Sequence, residues 1–183
     1  MFADIPIDHT MDVKAVSYYE QLGQYLVNQE PLGKCILKAA RKVNVHPDYI
    51  YTIAIAEGGT SGKYSKNADG THDMGLMQIN YERWWHEAKR IGYQVDWRKV
   101  LKQPCTNVLL GSIIYRYRSK PAKGAYEAMA NYHWYSMVEN KKPHIRYRTR
   151  LVPIYEAIVN DRKAYERTGK LNPALRCRYA HCD

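Results

Sequence analysis

The chain has 183 residues, of which 45% are hydrophobic and 25% charged, as in ordinary globular proteins. This length predicts one domain with a substantial core. No apolar run is long enough to cross a bilayer, so the sequence predicts no membrane span. Lysines and arginines number 28 against 18 acidic residues, which gives a formal net charge of +10. Such a charge attracts polyanions, whether nucleic acid, a membrane surface or an anionic cell wall.

In chain order, the predicted elements are mostly helices. The first twelve residues are predicted to be extended or disordered. Helical spacing then favours helices over 13–29, 35–43, 49–57, 78–91, 106–117, 124–135 and 145–159. Pro47 suits a first helical position and Thr106 suits a helix cap. Residues 60–74, rich in Gly, Asn and Asp, predict an irregular hairpin that turns at Asp69-Gly70. The expected fold class is therefore α+β, predominantly α-helical, with one small β element.

One segment, from Glu57 to Trp85, concentrates the polar chemistry of the chain. It starts with a glutamate at the end of the apolar run YIYTIAIAE and passes through the Asp69-Gly70 turn. A second carboxylate, Asp73, follows, and the segment closes with GLMQIN and two tryptophans. Two carboxylates with amides and indoles nearby are the residue types that cleavage of a sugar polymer needs.

This segment resembles the active-site region of the lysozyme superfamily. The nearer resemblance is to the SLT-domain lytic transglycosylases that accompany type IV secretion, conjugation and type III secretion machines. The D-x-G-[IL]-[LM]-Q-I-N core with two tryptophans is also similar to c-type lysozyme. The resemblance covers residues 33–160 and implies a lysozyme-like catalytic domain there. Residues 1–32 would form an N-terminal extension with one helix, and residues 161–183 a basic C-terminal tail.

Glu57 is the predicted general acid. Ile53 and Ile50 lie four and seven positions before it, on the same helical face, and would give its carboxyl apolar neighbours. Desolvation and the C-terminal end of the helix dipole both disfavour the ionised form. A carboxyl group that keeps its proton can donate it to a glycosidic oxygen. The alternative is a glutamate solvated at a helix end.

Asp73 is the second predicted catalytic residue. An ionised carboxylate beside the scissile bond stabilises or attacks the positive charge that develops at the anomeric carbon. The matching aspartate does this in c-type lysozymes, whereas many lytic transglycosylases lack it and use the N-acetyl group of the substrate. The resemblance thus implies a catalytic role for Asp73. The alternative is an aspartate that hydrogen-bonds the hairpin turn.

The GLMQIN segment is expected to form the floor of a saccharide site. Gly75 would let the backbone approach a sugar, or would adopt a conformation closed to other residues. Met77 would pack under a sugar ring or an N-acetyl group. Gln78 offers a donor and an acceptor to hydroxyls and amides. Asn80 would contact the substrate or cap the next helix.

Aromatic residues complete the predicted substrate-binding set. Trp84 would stack on a sugar face, with one of Trp84 and Trp85 placed in the core. The AMANYHW segment resembles the A-x-Y-N motif of the family, and this match places Tyr132 at the family's tyrosine near the catalytic acid. His133 stands where that motif usually has asparagine. The resemblance implies that the Tyr132 hydroxyl orients Glu57, while His133 lines the site or is a plain surface residue.

Four cysteines allow two disulfides in three pairings. Cys177 and Cys182 would close a small loop and leave Cys35 with Cys105, positions at which secretion-associated relatives also carry cysteines. Zinc binding by Cys177, His181 and Cys182 would supply only three ligands, so no metal is expected. Disulfides indicate an oxidising compartment. No export signal opens the chain. We therefore expect a periplasmic, cell-envelope or secreted protein whose signal has been removed.

The expected function is lytic cleavage of the bond between N-acetylmuramic acid and N-acetylglucosamine in peptidoglycan, to open the wall for a secretion or conjugation apparatus. The expected partners are glycan strands and a component of that machine, with no cofactor, and the protein is expected to be a monomer. A hydrolytic muramidase is the first alternative. A low-activity glycan-binding scaffold is the second, because Gly58 replaces the serine that usually follows the family's glutamate. The Arg/Tyr segments IYRYRSK and HIRYRTR could also form a surface that binds RNA or single-stranded nucleic acid. Solvated helix faces explain these segments better, so no nucleic-acid partner is expected.

Overall fold

The computed structural model describes residues 3–22, 32–134 and 141–172. These residues form mainly helices with one small antiparallel sheet, which confirms the predicted α+β class. The bounds are α1 Val13–Leu22, α2 Leu32–Val43, α3 Pro47–Glu57, β1 Tyr64–Lys66, β2 His72–Met74, β3 Ile79–Asn80, α4 Tyr81–Arg90, α5 Trp97–Lys102, α6 Pro104–Arg118, α7 Ala125–His133 and α8 Lys142–Thr168. Across this part of the chain, no helix combines the length and apolarity that a bilayer crossing requires.

Helix α3 lies at the centre of the fold. It packs against α2, α6, α7 and α8. Residues 47–56 are all buried except Ile55, which is half-buried. The continuous apolar run predicted from the sequence is thus a helix covered on nearly every side. Glu57 is its last residue, so a rigid and buried element carries the carboxylate to the edge of the core.

Both ends of α3 are fixed by local interactions. The helix begins at Pro47, and the Nδ1 atom of His46 accepts a hydrogen bond from the Asp48 backbone N–H at 3.2 Å. It ends because Gly58 adopts the left-handed conformation, with φ of 62°, and donates its N–H to the Ala54 carbonyl. These two ends determine where Glu57 leaves the helix.

The sheet carries the segment between α3 and α4. Its strands lie in the order β1-β2-β3, and both pairs are antiparallel. Asp73 is the central residue of β2, opposite Ser65 on one side and Asn80 on the other. The hairpin turns at Asp69-Gly70 as predicted, with Gly70 at φ of 85°. The third strand was not predicted from the sequence.

Several predicted helix bounds differ from the structure: the starts predicted at Cys35 and Ile145 lie at Leu32 and Lys142, and three further bounds also differ. The helix expected to start at Gln78 starts at Tyr81, because Gln78 has a positive φ of 44° and the next two residues pair as β3. The helix expected to be capped by Thr106 starts at Pro104, so Thr106 lies inside its first turn. The final helix continues to Thr168, nine residues past its predicted end, and stops at a left-handed Gly169.

Helix α5 was also missed. It begins after Asp96, whose carboxylate accepts a hydrogen bond from the Lys99 N–H at 3.1 Å. Six residues carry too little periodicity to be recognised, although the aspartate cap is a usable signal. Helix α8 passes without a break through residue 160, where the catalytic domain was predicted to end. The division of the chain at that point stays a prediction.

The disulfide between Cys35 and Cys105 is present, which confirms that predicted pairing. It joins α2 to α6, two helices that also pack along each other. Loop closure over 70 residues restricts the unfolded chain. The predicted pair Cys177 and Cys182 lies outside the described residues.

The N-terminal segment is extended, as predicted, but it is attached to the core. The Asp4 carboxylate accepts hydrogen bonds from the backbone N–H groups of Tyr126 and Glu127, at 2.9 and 3.1 Å. It also pairs with Arg148 of α8 at 3.2 Å. Asp4 therefore caps α7, whose own N-cap residue, Gly124, has no side chain to do so.

We expect the stability of the fold to decrease in mild acid through His46. Burial lowers the pKa of His46 from its ordinary 6.5, outweighing the opposite effect of the Asp48 carboxylate. Because the unfolded chain then binds more protons than the folded one, stability is lost as pH falls from about 7 through the unfolded value. His46→Asn keeps a cap acceptor without titrating, so its free energy of unfolding should fall less between pH 7 and 5 in urea titrations. Equal losses in this variant and the parent would contradict the assignment, and the exposed His86→Asn serves as control.

Candidate active site

Glu57 lies in a nearly closed environment at the edge of the core. Its side chain is 9% exposed. The Tyr147 hydroxyl of α8 donates a hydrogen bond to Glu57 Oε1 at 2.6 Å. His133 Nδ1, at the end of α7, lies 3.7 Å from the same oxygen. The His133 and Tyr147 rings stack at 4.5 Å with an interplanar angle of 11°. Three helices thus meet at one carboxylate oxygen.

Tyr147 remains a hydrogen-bond donor over the pH range in which glycosidases work. Burial raises its pKa well above the ordinary value, and the negative charge of Glu57 raises it further. A neutral hydroxyl in this position stabilises an ionised Glu57 when the acid has given up its proton. Tyr147 was not predicted as a site residue. No local pattern in HIRYRTR distinguishes it, and it lies 90 residues from Glu57 in the chain.

Tyr132 acts on the loop and not on the acid. Its hydroxyl donates to the Met77 carbonyl at 2.7 Å, which differs from the predicted hydrogen bond to Glu57. Arg118 of α6 in turn donates to the Tyr132 carbonyl at 2.7 Å. Burial and the nearby Glu57 charge raise the pKa of Tyr132, so its hydroxyl also stays protonated. Tyr132 therefore ties the GLMQIN loop to α7.

A cleft extends on both sides of Glu57 and His133, which line both halves. One half, the sheet lobe, follows the hairpin and α4, and its lining includes Asp73, Gln78, Asn80, Arg83 and Trp84. The other half, the basic lobe, follows the first turns of α8, and its lining includes Lys142, Arg146, Tyr147 and Arg150. The structure thus brings both predicted catalytic carboxylates, Glu57 and Asp73, into one cleft.

Two predicted floor residues face the core instead of the cleft. Met77 is fully buried and packs against Gly111 of α6, where an added Cβ would lie 2.8 Å from the methionine side chain. Gly75 adopts a φ of 68°, and an added Cβ would lie 2.2 Å from Asn107 Nδ2. The second alternative for Gly75, a conformation closed to other residues, is the one observed. The Met77 side chain is not placed to touch a sugar, in contrast to the prediction.

Gln78 and Asn80 line the sheet lobe, but both also have structural hydrogen bonds. Gln78 Nε2 donates to the Gly75 carbonyl at 2.9 Å. Asn80 is the N-cap of α4, because its Oδ1 accepts a hydrogen bond from the Arg83 N–H at 3.1 Å. Its Nδ2 donates to Thr71 Oγ1 at 2.8 Å. The capping role expected as an alternative for Asn80 is therefore present.

Trp84 packs against the hydrophobic core, as predicted for one tryptophan of the WW pair, although neither side chain is fully buried. Trp84 lines the sheet lobe and packs against the Arg118 guanidinium, 5.2 Å from the ring centroid. Trp85 is half-buried and has Lys89 5.0 Å from its ring. Of the two tryptophans, Trp84 is therefore the one that lines the cleft.

The backbone conformation and close packing after Glu57 explain why glycine stands at positions 58 and 59. Gly58 ends α3 in the left-handed region, which a serine with a Cβ enters at a cost. Gly59 lies under the GLMQIN loop, where an added Cβ would be 2.0 Å from the Gly75 carbonyl oxygen. The two glycines let the loop close directly over the exit of α3 and so bring Gln78 beside Glu57.

The part of the chain that forms this cleft is similar to a known protein family. The family model described as "Transglycosylase SLT domain" matches residues 34–142. The chain belongs to this family. Membership implies a lytic-transglycosylase-type activity on peptidoglycan, and the mainly helical fold with its small sheet is the lysozyme-like fold expected from the resemblance.

Two relatives of this SLT-domain chain carry the name "Invasion protein IagB". The protein from Salmonella typhi is 26% identical over 142 residues, which cover 77% of this chain and 86% of the relative. The protein from Salmonella typhimurium SL1344 is 30% identical over 99 residues, 54% of this chain and 60% of the relative. A "Peptidoglycan-binding-like protein" of Escherichia coli O157:H7 is 26% identical over 139 residues, 71% of this chain and 82% of that protein.

Asn107 of α6 is a second residue that sequence reasoning missed in this SLT domain. It is 1% exposed, and its Oδ1 accepts the Met77 N–H at 2.8 Å. Its Nδ2 donates to the carbonyls of Met74 and Val100, at 3.1 and 3.0 Å. One amide thus fastens the end of β2, the GLMQIN loop and α5 to the core. The sequence around it, PCTNVLLG, gave no signal, because the burial of this asparagine is seen only in the structure.

Asn107→Leu should therefore destabilise the fold. The substitution conserves approximate volume but leaves buried backbone groups without partners, which costs about 3 kcal/mol in total. Urea denaturation measures the change in the free energy of unfolding. The exposed helical control Asn160→Leu should change it by less than about 0.5 kcal/mol. A loss below about 1 kcal/mol for Asn107→Leu would show that water replaces the asparagine at little cost.

Proposed function

We propose that this chain cleaves the β-1,4 bond between N-acetylmuramic acid and N-acetylglucosamine, with Glu57 as general acid and then general base. The observation that carries the proposal is the position of Glu57. Its carboxyl is nearly buried at the centre of a two-lobed cleft, with one oxygen held by the Tyr147 hydroxyl. Such a group is positioned for proton transfer to a bound saccharide and shielded from bulk water.

The first step transfers a proton from Glu57 to the glycosidic oxygen. The bond between that oxygen and the muramoyl anomeric carbon breaks, and the N-acetylglucosamine portion leaves with a free hydroxyl. Glu57 is now ionised, and the Tyr147 hydrogen bond stabilises the carboxylate. In the second step Glu57 removes the proton of the muramoyl 6-hydroxyl, whose oxygen attacks the anomeric carbon. The product is a 1,6-anhydro sugar, and Glu57 is again protonated.

Asp73 is the second carboxylate that would contribute to catalysis. It lines the sheet lobe beside Glu57, at the centre of β2. An ionised Asp73 would stabilise positive charge on the sugar between the two steps. The same arrangement favours the second candidate function, a muramidase, in which Glu57 deprotonates water instead of the internal hydroxyl and the product keeps a reducing end.

The proposed setting is the periplasm or the outer face of the cell envelope, where the enzyme opens the wall locally for a secretion or conjugation apparatus. Three features support this setting. The two Salmonella relatives are named as invasion proteins. The Cys35–Cys105 disulfide suits an oxidising compartment. The net charge of +10 suits an anionic wall.

Mass spectrometry of muropeptides released from purified peptidoglycan tests the proposal. The parent should release anhydromuropeptides, and Glu57→Gln should lower the rate about 100-fold or more because no proton donor remains. Asp73→Asn should lower it by a smaller factor. Glu156→Gln, which changes an exposed glutamate of α8, is the matched control and should keep the parental rate.

The products separate the candidate functions. Reducing-end muropeptides from the parent would make the chain a muramidase and overturn the anhydro route. Release by Glu57→Gln at the parental rate would show that Glu57 is not the general acid. Absence of release by the parent over a range of pH and salt would leave the glycan-binding scaffold as the better account.

A further inference from the structure

The basic lobe of the cleft has a charge that cleavage of a neutral glycan bond does not need. Among the described residues, its lining combines the cations Lys142, Arg146 and Arg150 with one carboxylate, Glu57. The three cations follow each other at four-residue intervals on α8, so they form one row along the cleft. All three are exposed.

Four of the five arginines of α8 fall into two pairs. Arg148 pairs with Asp4 at 3.2 Å, and Arg162 pairs with the buried Asp48 at 3.0 Å. These two hold other elements against the helix. Within the described ranges, Arg146 and Arg150 have no ion pair with a carboxylate, although they stand beside the proposed catalytic acid. Their charges are therefore available to a ligand that enters the basic lobe.

We infer that the basic lobe binds the acidic peptide attached to the muramoyl residue next to the scissile bond. This inference rests on the proposed function. The substrate would thus be a peptide-bearing glycan strand in preference to a bare one. The muramoyl sugar must lie at Glu57, and its peptide leaves the sugar beside the bond that is cut. Carboxylates of that peptide are the groups that guanidinium side chains recognise.

The dimensions agree with this assignment. From Lys142 to Arg150 the helix rises about 12 Å, with about 6 Å between successive cations. An extended peptide of three to four residues spans about 10 to 14 Å. A short peptide lying along α8 can therefore place carboxylates opposite more than one of the cations, while its sugar remains at Glu57.

Replacing Arg146 and Arg150 together with glutamine tests the inference. The readout is the ratio of kcat/KM on peptide-bearing strands to kcat/KM on strands stripped of peptide by an amidase. Two exposed ion pairs at about 0.5 kcal/mol each predict that this ratio falls about fivefold, mainly through KM, and that the parental preference weakens with salt. The control Lys163→Gln with Arg167→Gln removes two charges at the same spacing, about 25 Å further along α8, and should keep the parental ratio.

Two outcomes would overturn the inference. One is an unchanged ratio in the Arg146→Gln, Arg150→Gln variant, and the other is an equal fall in the control. If the parent cleaves neither type of strand, the proposed function fails. Calorimetric binding of a soluble disaccharide-tetrapeptide and of the peptide-free disaccharide then decides the inference separately, and equal affinities for the two would refute it.

Discussion

The antiparallel packing of α3 and α8 is the constraint on which the site depends. Near its start, α3 presents the fully buried Asp48, which receives the Arg162 guanidinium and the Tyr19 hydroxyl. At its end, it presents Glu57, which receives Tyr147. A polar contact at each end fixes the register of the two helices. Because a buried charge without its partner is costly, the Asp48 contact penalises any sliding that would separate Glu57 from Tyr147.

The GLMQIN loop reaches the cleft because it is packed from behind. Asn107 holds its backbone, Tyr132 holds the Met77 carbonyl, and Gly59 leaves room for the loop over the end of α3. Residues that look like a saccharide floor in the sequence therefore divide into two groups. Met77 fills the core beneath the cleft, and Gln78 and Asn80 line it.

The sequence predicted the α+β class, the hairpin turn, the Cys35–Cys105 disulfide and the segment that forms the cleft. The class, the turn and the cleft segment rest on local patterns or a specific motif, and the disulfide rests on the resemblance to secretion-associated relatives. Tyr147 and Asn107 could not be predicted in this way, because their partners lie far along the chain and their own surroundings look ordinary. The start of α4 was misplaced because the backbone conformation of Gln78 outweighed helical periodicity. Helix α5 was missed because its six residues carry too little periodicity.

We expect the Tyr147 hydroxyl to hold Glu57 in the position from which it transfers its proton. The most direct test is the rate of muropeptide release by Tyr147→Phe at saturating peptidoglycan. Losing a hydrogen bond to an ionised carboxylate predicts a fall in kcat of at least about tenfold, with KM little changed. Tyr165→Phe is the matched control, because it removes a hydroxyl contact with Ser17 at the far end of the same helix and should keep the parental kcat. Parental kcat in Tyr147→Phe, with its fold intact, would contradict the claim.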